Sequence, residues 1–133
     1  MAKFVVDCGA VLRLAGDELE VADGHRLLAP TLLRSHVLSA LHEAAHRGLL
    51  EPAVARERLL RFNAMKIRLL GDAVLRWRAW EIADALGWAE TATAEYLALT
   101  QLQADFFVTL DADLARRVEG IVATAPLDAL LTA

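Results

Sequence analysis

Two aspartates sit just past the carboxyl ends of short apolar runs. Asp7 closes Phe4-Val5-Val6, and Asp111 follows Phe106-Phe107-Val108-Thr109-Leu110. Each run reads as a buried strand, and in open α/β sheets ligands bind at the rim outside the strands' carboxyl ends. Strands lying side by side would bring these carboxylates together from opposite ends of the chain. A close pair of that kind repels, raises its own pKa values, and either shares a proton or holds a cation. Hard oxygen ligands suit Mg²⁺ or Mn²⁺, which makes a metal-dependent hydrolytic site the first reading. The second reading is structural: each aspartate caps the helix that follows it.

His42-Glu43-Ala44-Ala45-His46 matches the zinc-peptidase pattern H-E-x-x-H, in which two histidines one turn apart bind Zn²⁺ and the glutamate activates water. Both histidines fall on the polar side of an amphipathic helix, and no third ligand accompanies them, so a solvated face is the expectation. Cys8 has no basic partner in sequence to activate it and is expected to be a small buried residue. Trp77, Trp80 and Trp88 are expected in the core, and Tyr96 between helix and sheet. Arg13 and Arg34 fit a phosphate-facing role and an ordinary surface role equally well. Basic residues cluster in Arg56-Glu57-Arg58, Arg61, Lys66-Ile67-Arg68 and Arg76-Trp77-Arg78, which leaves room for a locally basic groove.

The elements needed to position these residues follow from patterning. Strands are predicted at Lys3–Val6, Arg26–Ala29, Met65–Leu70, Phe106–Thr109 and Gly120–Thr124. Helices are predicted at about Ala10–Leu14, Thr31–Arg47, Pro52–Asn63, Asp72–Leu86, Thr91–Gln103 and Ala112–Val118. Such alternation implies a parallel sheet covered on both faces. Gly48, Gly71 and Gly87 fall where helices should stop or start, and Pro30 and Pro52 fall at helix entries. In the second helix Leu33, Val37, Ala40, Leu41 and Ala44 share the face expected on the sheet, with His36, Ser39 and Glu43 opposite. The polar stretch Leu14–Gly24 is expected to be a surface loop or exposed edge.

A length of 133 residues fits a single domain spanning 1–133. An apolar fraction of 56% with three prolines argues against disorder. The net charge of −4 gives no support to nucleic-acid binding through overall charge. One cysteine excludes an internal disulfide and fits a reducing cytoplasm. Neither a signal peptide nor a membrane span is expected.

Taken together, the chain resembles the PIN-domain ribonucleases, specifically the VapC-type toxins of bacterial toxin–antitoxin pairs. The resemblance runs over nearly the whole length. It is carried by Phe4-Val5-Val6-Asp7, Leu28-Ala29-Pro30-Thr31-Leu32-Leu33, Ala94-Glu95-Tyr96-Leu97-Ala98-Leu99, Phe107-Val108-Thr109-Leu110-Asp111 and the ending Gly120-Ile121-Val122. It implies a three-layer α/β/α sandwich around a mostly parallel sheet of four to five strands. It also implies a homodimer, a cognate antitoxin that blocks the site, and Mg²⁺- or Mn²⁺-dependent cleavage of RNA by a cluster of acids.

Carried over residue by residue, the first acid of the family is Asp7 and the acid after the fourth strand is Asp111. The family's helix glutamate falls on His36, and its aspartate three residues before the tyrosine falls on Thr93. Gly9 replaces the usual small polar residue two after the first acid. Asp113, at the rim, ranks ahead of Glu43 and Glu95 as a substitute acid. Three functions are therefore weighed: a toxin-type endoribonuclease working through Asp7, Asp111 and Asp113 with an incomplete acidic site, a PIN-fold protein acting by antitoxin or RNA binding, and a zinc peptidase.

Overall fold

The computed structural model describes residues 2–133. Its strands are β1 (Lys3–Val6), β2 (Arg26–Pro30), β3 (Ile67–Leu70), β4 (Phe106–Val108) and β5 (Thr124–Ala125). Its helices are α1 (Cys8–Gly16), α2 (Leu33–His46), α3 (Pro52–Ala64), α4 (Ala73–Leu86), α5 (Ala92–Gln103) and α6 (Ala112–Arg117), with a 3₁₀ turn at Leu127–Leu130. All strand pairs are parallel, in the order β3-β2-β1-β4-β5.

That order places the site. The chain steps outward from β1 to β2 to β3, then crosses back to β4 on the other flank of β1. Helices α1, α2 and α3 serve the outward steps and pack on one another. Helices α4 and α5 serve the return, and α5 lies on β1, β2 and β4. Right-handed crossovers put outward and return helices on opposite faces, which yields the three-layer α/β/α sandwich. The winding direction reverses between β1 and β4, and that switch point opens a crevice at the strands' carboxyl ends.

The central strands are apolar without alternation because a parallel sheet is buried on both faces. Val5, Val6, Phe107 and Val108 are fully buried. Val5 and Phe107 stand in register, and the ring of Tyr96 on α5 lies 6.3 Å from that of Phe107. Helix α5 buries Ala94, Tyr96, Leu97, Ala98, Leu99 and Thr100, as a helix held between sheet and α4 must. Its one buried polar residue, Thr100, is satisfied by donating from Oγ1 to the Tyr96 carbonyl at 2.8 Å. Helix α2 buries Leu33, Val37 and Leu41 and exposes His36, Ser39 and Glu43, the division its sequence predicts.

Gly87 ends α4 at φ 71°, a left-handed conformation that needs no Cβ. Gly71 has a different cause. A Cβ there would stand 2.8 Å from Thr31 Oγ1, at the place where Thr31 N donates to the Leu70 carbonyl.

Four sequence expectations are corrected. The last strand is Thr124–Ala125, not Gly120–Thr124: Gly120 takes φ 83°, and a turn joins Ile121 N to the Val118 carbonyl. The third strand begins at Ile67, because Met65 ends α3. Trp77 and Trp80 are 67% and 58% exposed instead of core, since α4 turns Leu75, Ala79, Ile82 and Ala83 inward. The polar stretch expected from Leu14 begins later, because α1 continues to Gly16 and buries Leu14 and Ala15. Trp88 is half-buried beneath the Arg117 guanidinium, 5.4 Å from its ring centre. No described helix is long and apolar enough to cross a membrane.

Candidate functional site at the switch point

Asp7 leaves β1 as the N-cap of α1, with Oδ1 accepting from Ala10 N at 2.9 Å. Asp111 is likewise the N-cap of α6, its Oδ1 accepting from Asp113 N at 3.0 Å and Leu114 N at 3.1 Å. The capping and paired-carboxylate readings are therefore compatible. Each acid uses Oδ1 to satisfy helix amides, and Oδ2 of each makes no bond to a backbone amide among the described residues.

The β1–β4 ladder continues one step beyond the strands, where Asp7 N donates to the Val108 carbonyl at 3.4 Å. This sets Asp111 near enough for its charge to act on Asp7, although the cavity beside Asp7 is lined by Leu114 of α6 and not by Asp111. Burial pushes the Asp7 carboxyl above its usual range, the Thr109 hydroxyl and the Ala10 amide pull it back, and the Asp111 charge raises it further. Thr109 had no role in the sequence reading. Its Oγ1 accepts from the Asp111 backbone amide at 3.2 Å, which fixes the turn that carries the second acid. The only sequence signal was a hydroxyl residue between the last strand position and the second acid.

A cavity of about 190 Å³ lies beside Asp7, lined also by Gly9, His36, Thr93, Tyr96 and Phe107. His36 and Thr93 thus stand beside Asp7. His36 is exposed on α2, and its Nδ1 lies 3.4 Å from the Tyr96 hydroxyl, with the rings stacked at 6.4 Å. Burial first, then the nearby Cys8, Asp7 and Glu95, drives the Tyr96 phenol well above its ordinary range. Tyr96 is therefore a neutral donor that orients His36 when Nδ1 is unprotonated. Cys8 is pushed up to about 11 by burial and by the Asp7 charge, so it remains a thiol and no nucleophile.

Other expected helpers lie elsewhere. Asp113 pairs with Arg116 one turn along α6 on the exposed side. Glu43 pairs with Arg47 at 2.7 Å. Burial pushes the half-buried Glu95 carboxyl up, and the Arg76 charge on α4 pulls it back. Arg13 pairs with Asp17 at 3.7 Å. His42 and His46 stack at 6.4 Å on the solvated face, and no third ligand joins them among the described residues. Two larger clefts, of about 700 and 740 Å³, open at the strands' amino ends, far from the acids. Size therefore does not locate this chemistry; the winding reversal does.

The raised Asp7 gives a pH prediction. A carboxyl whose folded pKa lies above its unfolded value contributes stability below the unfolded pKa, and that contribution is lost as pH rises through the folded value. Asp7→Asn keeps a capping oxygen without the charge, so its melting temperature should exceed the native one at pH 7. That advantage should vanish below about pH 4, near the ordinary carboxylate value. Thermal unfolding across pH 3–8 checks it; a pH-independent difference would mean that the charge is not the cause.

A five-stranded parallel sheet between two helical layers defines the class of architecture, a three-layer α/β/α sandwich. Among solved structures, PAE2754 from Pyrobaculum aerophilum shares it with a TM-score of 0.71 and 20% identity, over 98% of this chain and 94% of that one. VapBC-1 from nontypeable Haemophilus influenzae matches with a TM-score of 0.64 and 11% identity, over 95% and 98% of the two chains. VapBC2 from Rickettsia felis, bound to a DNA fragment from their promoter, matches with a TM-score of 0.64 and 8% identity, over 93% and 98%. At these identities the likeness is one of fold. No family model and no curated protein matches the sequence.

Proposed function

We propose that this chain is a toxin-type PIN-fold protein that hydrolyses RNA phosphodiester bonds with Mg²⁺ or Mn²⁺, held in check by a cognate antitoxin. The observation that carries this reading is that Asp7 and Asp111 follow the paired strands β1 and β4 at the carboxyl-end switch point, where Asp7 N bonds to the Val108 carbonyl and Asp111 N to the Thr109 hydroxyl. Two of the structures sharing the fold are VapBC structures, which supports an antitoxin partner here. A homodimer and a cytoplasmic setting belong to the same reading.

The donor set limits how a metal is held. No group of three His, Cys, Asp or Glu residues that could hold a metal ion forms among the described residues, so no closed protein cage exists. Mg²⁺ is commonly held by one or two carboxylates together with water and substrate phosphate, and Asp7 with Asp111 fits that mode. A divalent ion bound there supplies charge neutralisation at a scissile phosphate. The protein side is then divided by position. Asp7 and Asp111 hold the negative charge, the Thr93 hydroxyl and the His36 ring are placed to donate to phosphate oxygens, and Tyr96 fixes His36. The open, shallow crevice suits a polymer passing over the rim more than an enclosed small molecule.

A second reading, binding of antitoxin or RNA without efficient cleavage, is favoured by His36 and Thr93 standing where the family places acids. Purified, antitoxin-free protein separates the two. Cleavage of structured RNAs that requires Mg²⁺ or Mn²⁺ and stops with chelator supports the nuclease. RNA or antitoxin binding with no cleavage at high Mn²⁺ supports the binder.

A further inference from the structure

At the opposite ends of the same strands, on the face that carries Asp7, lies a ladder of like charges. Lys3 opens β1 in register with Arg26, which opens β2. The next register pairs, Leu27 with Ile67 and Leu28 with Arg68, extend the row to Lys66 and place Arg68 two residues further along β3. Neighbours in register on parallel strands point to one side, and so do residues two apart along a strand. Lys3, Arg26, Lys66 and Arg68 therefore share the face of Val5 and Phe107, on which α5 packs. They line the cleft of about 740 Å³ together with Leu28 and with Gln103, the last residue of α5. Helix α5 thus runs between the two sites, with Thr93 in its first turn beside Asp7 and Gln103 at its end beside the ladder.

All four cations are exposed, and none pairs with a carboxylate among the described residues. The nearest acid in register, Asp105, uses Oδ2 to accept from the Lys3 backbone amide at 2.8 Å. Among the other basic clusters Arg61 pairs with Glu18 and Glu57, and Arg78 with Glu81, while Arg56, Arg58 and Arg76 make no ion pair among the described residues but do not line this cleft. Like charges opposite one another across strands destabilise a sheet. In a chain of net charge −4 the one carboxylate in this row, Asp105, stands at the Lys3 end, and none pairs with Arg26, Lys66 or Arg68 among the described residues. The row crosses three strands, about 10 Å at the usual strand spacing. That length and spacing match successive phosphates of a polynucleotide better than one compact anion.

We propose that this ladder is a phosphate-backbone site for nucleic acid, separate from the acid pair and independent of metal. Arg26 and Lys66 are its centre, and Lys3 and Arg68 flank them. Contacts of this kind position a strand without reading its bases.

The test is binding of a fluorescent single-stranded RNA to the whole chain in chelator, so that no metal-held contact contributes, over a range of salt. Arg26→Gln with Lys66→Gln should weaken binding about tenfold at low salt and lower the log–log salt slope by about 0.7 for each charge removed. Arg26→Lys should bind like the native chain. Circular dichroism and melting temperature verify that each variant is folded. Arg68→Gln, at the sheet edge, gives a second reading that leaves the central pair intact, with a slope loss of about 0.7. An unchanged slope in both the double variant and Arg68→Gln overturns the proposal and leaves the cations as protection of an edge strand. Displacement of the RNA by inorganic phosphate or a mononucleotide at matched phosphate concentration also overturns it, in favour of a small phosphate ligand. Loss of metal-dependent cleavage with metal-free binding intact would count only against the acid-pair reading.

Discussion

Replacing Asp7 with alanine is expected to lower metal-dependent RNA cleavage at least about a hundredfold, equivalent to about 2.7 kcal/mol of transition-state stabilisation. The size follows from how few acids the crevice has. Asp7 and Asp111 are the two acids that follow β1 and β4 at the switch point, and Asp113 pairs with Arg116. Without Asp7, a divalent ion would be left with one carboxylate, already half committed to capping α6. Alanine also removes the α1 cap, a change that commonly costs about 0.5–2 kcal/mol. Asp7→Asn is therefore the companion variant, since it retains a capping oxygen and loses only the charge. Both should be inactive in single-turnover cleavage with Mn²⁺ while remaining folded by circular dichroism. Native-rate cleavage by Asp7→Asn would move the chemistry to another part of the molecule.

His36→Glu combined with Thr93→Asp should have a large effect in the other direction. Both side chains line the cavity that contains Asp7, so the change would surround it with carboxylates without altering the backbone. Mn²⁺ affinity is expected to rise at least about tenfold, within the range by which supporting groups tune metal sites. Cleavage should rise with it. In the absence of metal the double variant should melt earlier than the native chain, because the added charges repel, and Mn²⁺ should restore the loss. Calorimetric titration with Mn²⁺, read beside the cleavage rate, checks both. Unchanged affinity would show that His36 and Thr93 are not where the missing acids belong.

The architecture could be read from the sequence to a large extent because burial on both faces writes parallel strands as plain apolar runs. Lys3–Val6 and Phe106–Val108 are of that kind, and both stand where patterning placed them. The last strand was misplaced because two residues of pairing at a sheet edge leave almost no periodic signal, and Gly120-Ile121-Val122 resembles a strand more than Thr124–Ala125 does. The tryptophans were misassigned for another reason. Hydrophobicity shows that a residue tends to be covered, but which face of α4 meets α5 is decided by Leu75, Ala79 and Ile82. At the site, strand ends located Asp7 and Asp111. The Thr109 bond to Asp111 and the Tyr96–His36 contact depend on side-chain directions that no spacing rule supplies. The Lys3–Arg26–Lys66 row was hidden more fully, since its members join only through strand register.

Strand β1 pairs with both β2 and β4, and its second partner is encoded near the far end of the chain. During synthesis the amino end emerges first, so Asp7 leaves the ribosome long before Phe106–Val108 and Asp111 are made. Until then β1 has one flank unpaired, and the two acids share no rim. A nascent chain therefore holds Asp7 without its partner acid for the about one hundred residues that separate them. The pairing of β1 with β4, which sets the two acids on one rim, is thus a late and long-range event in folding.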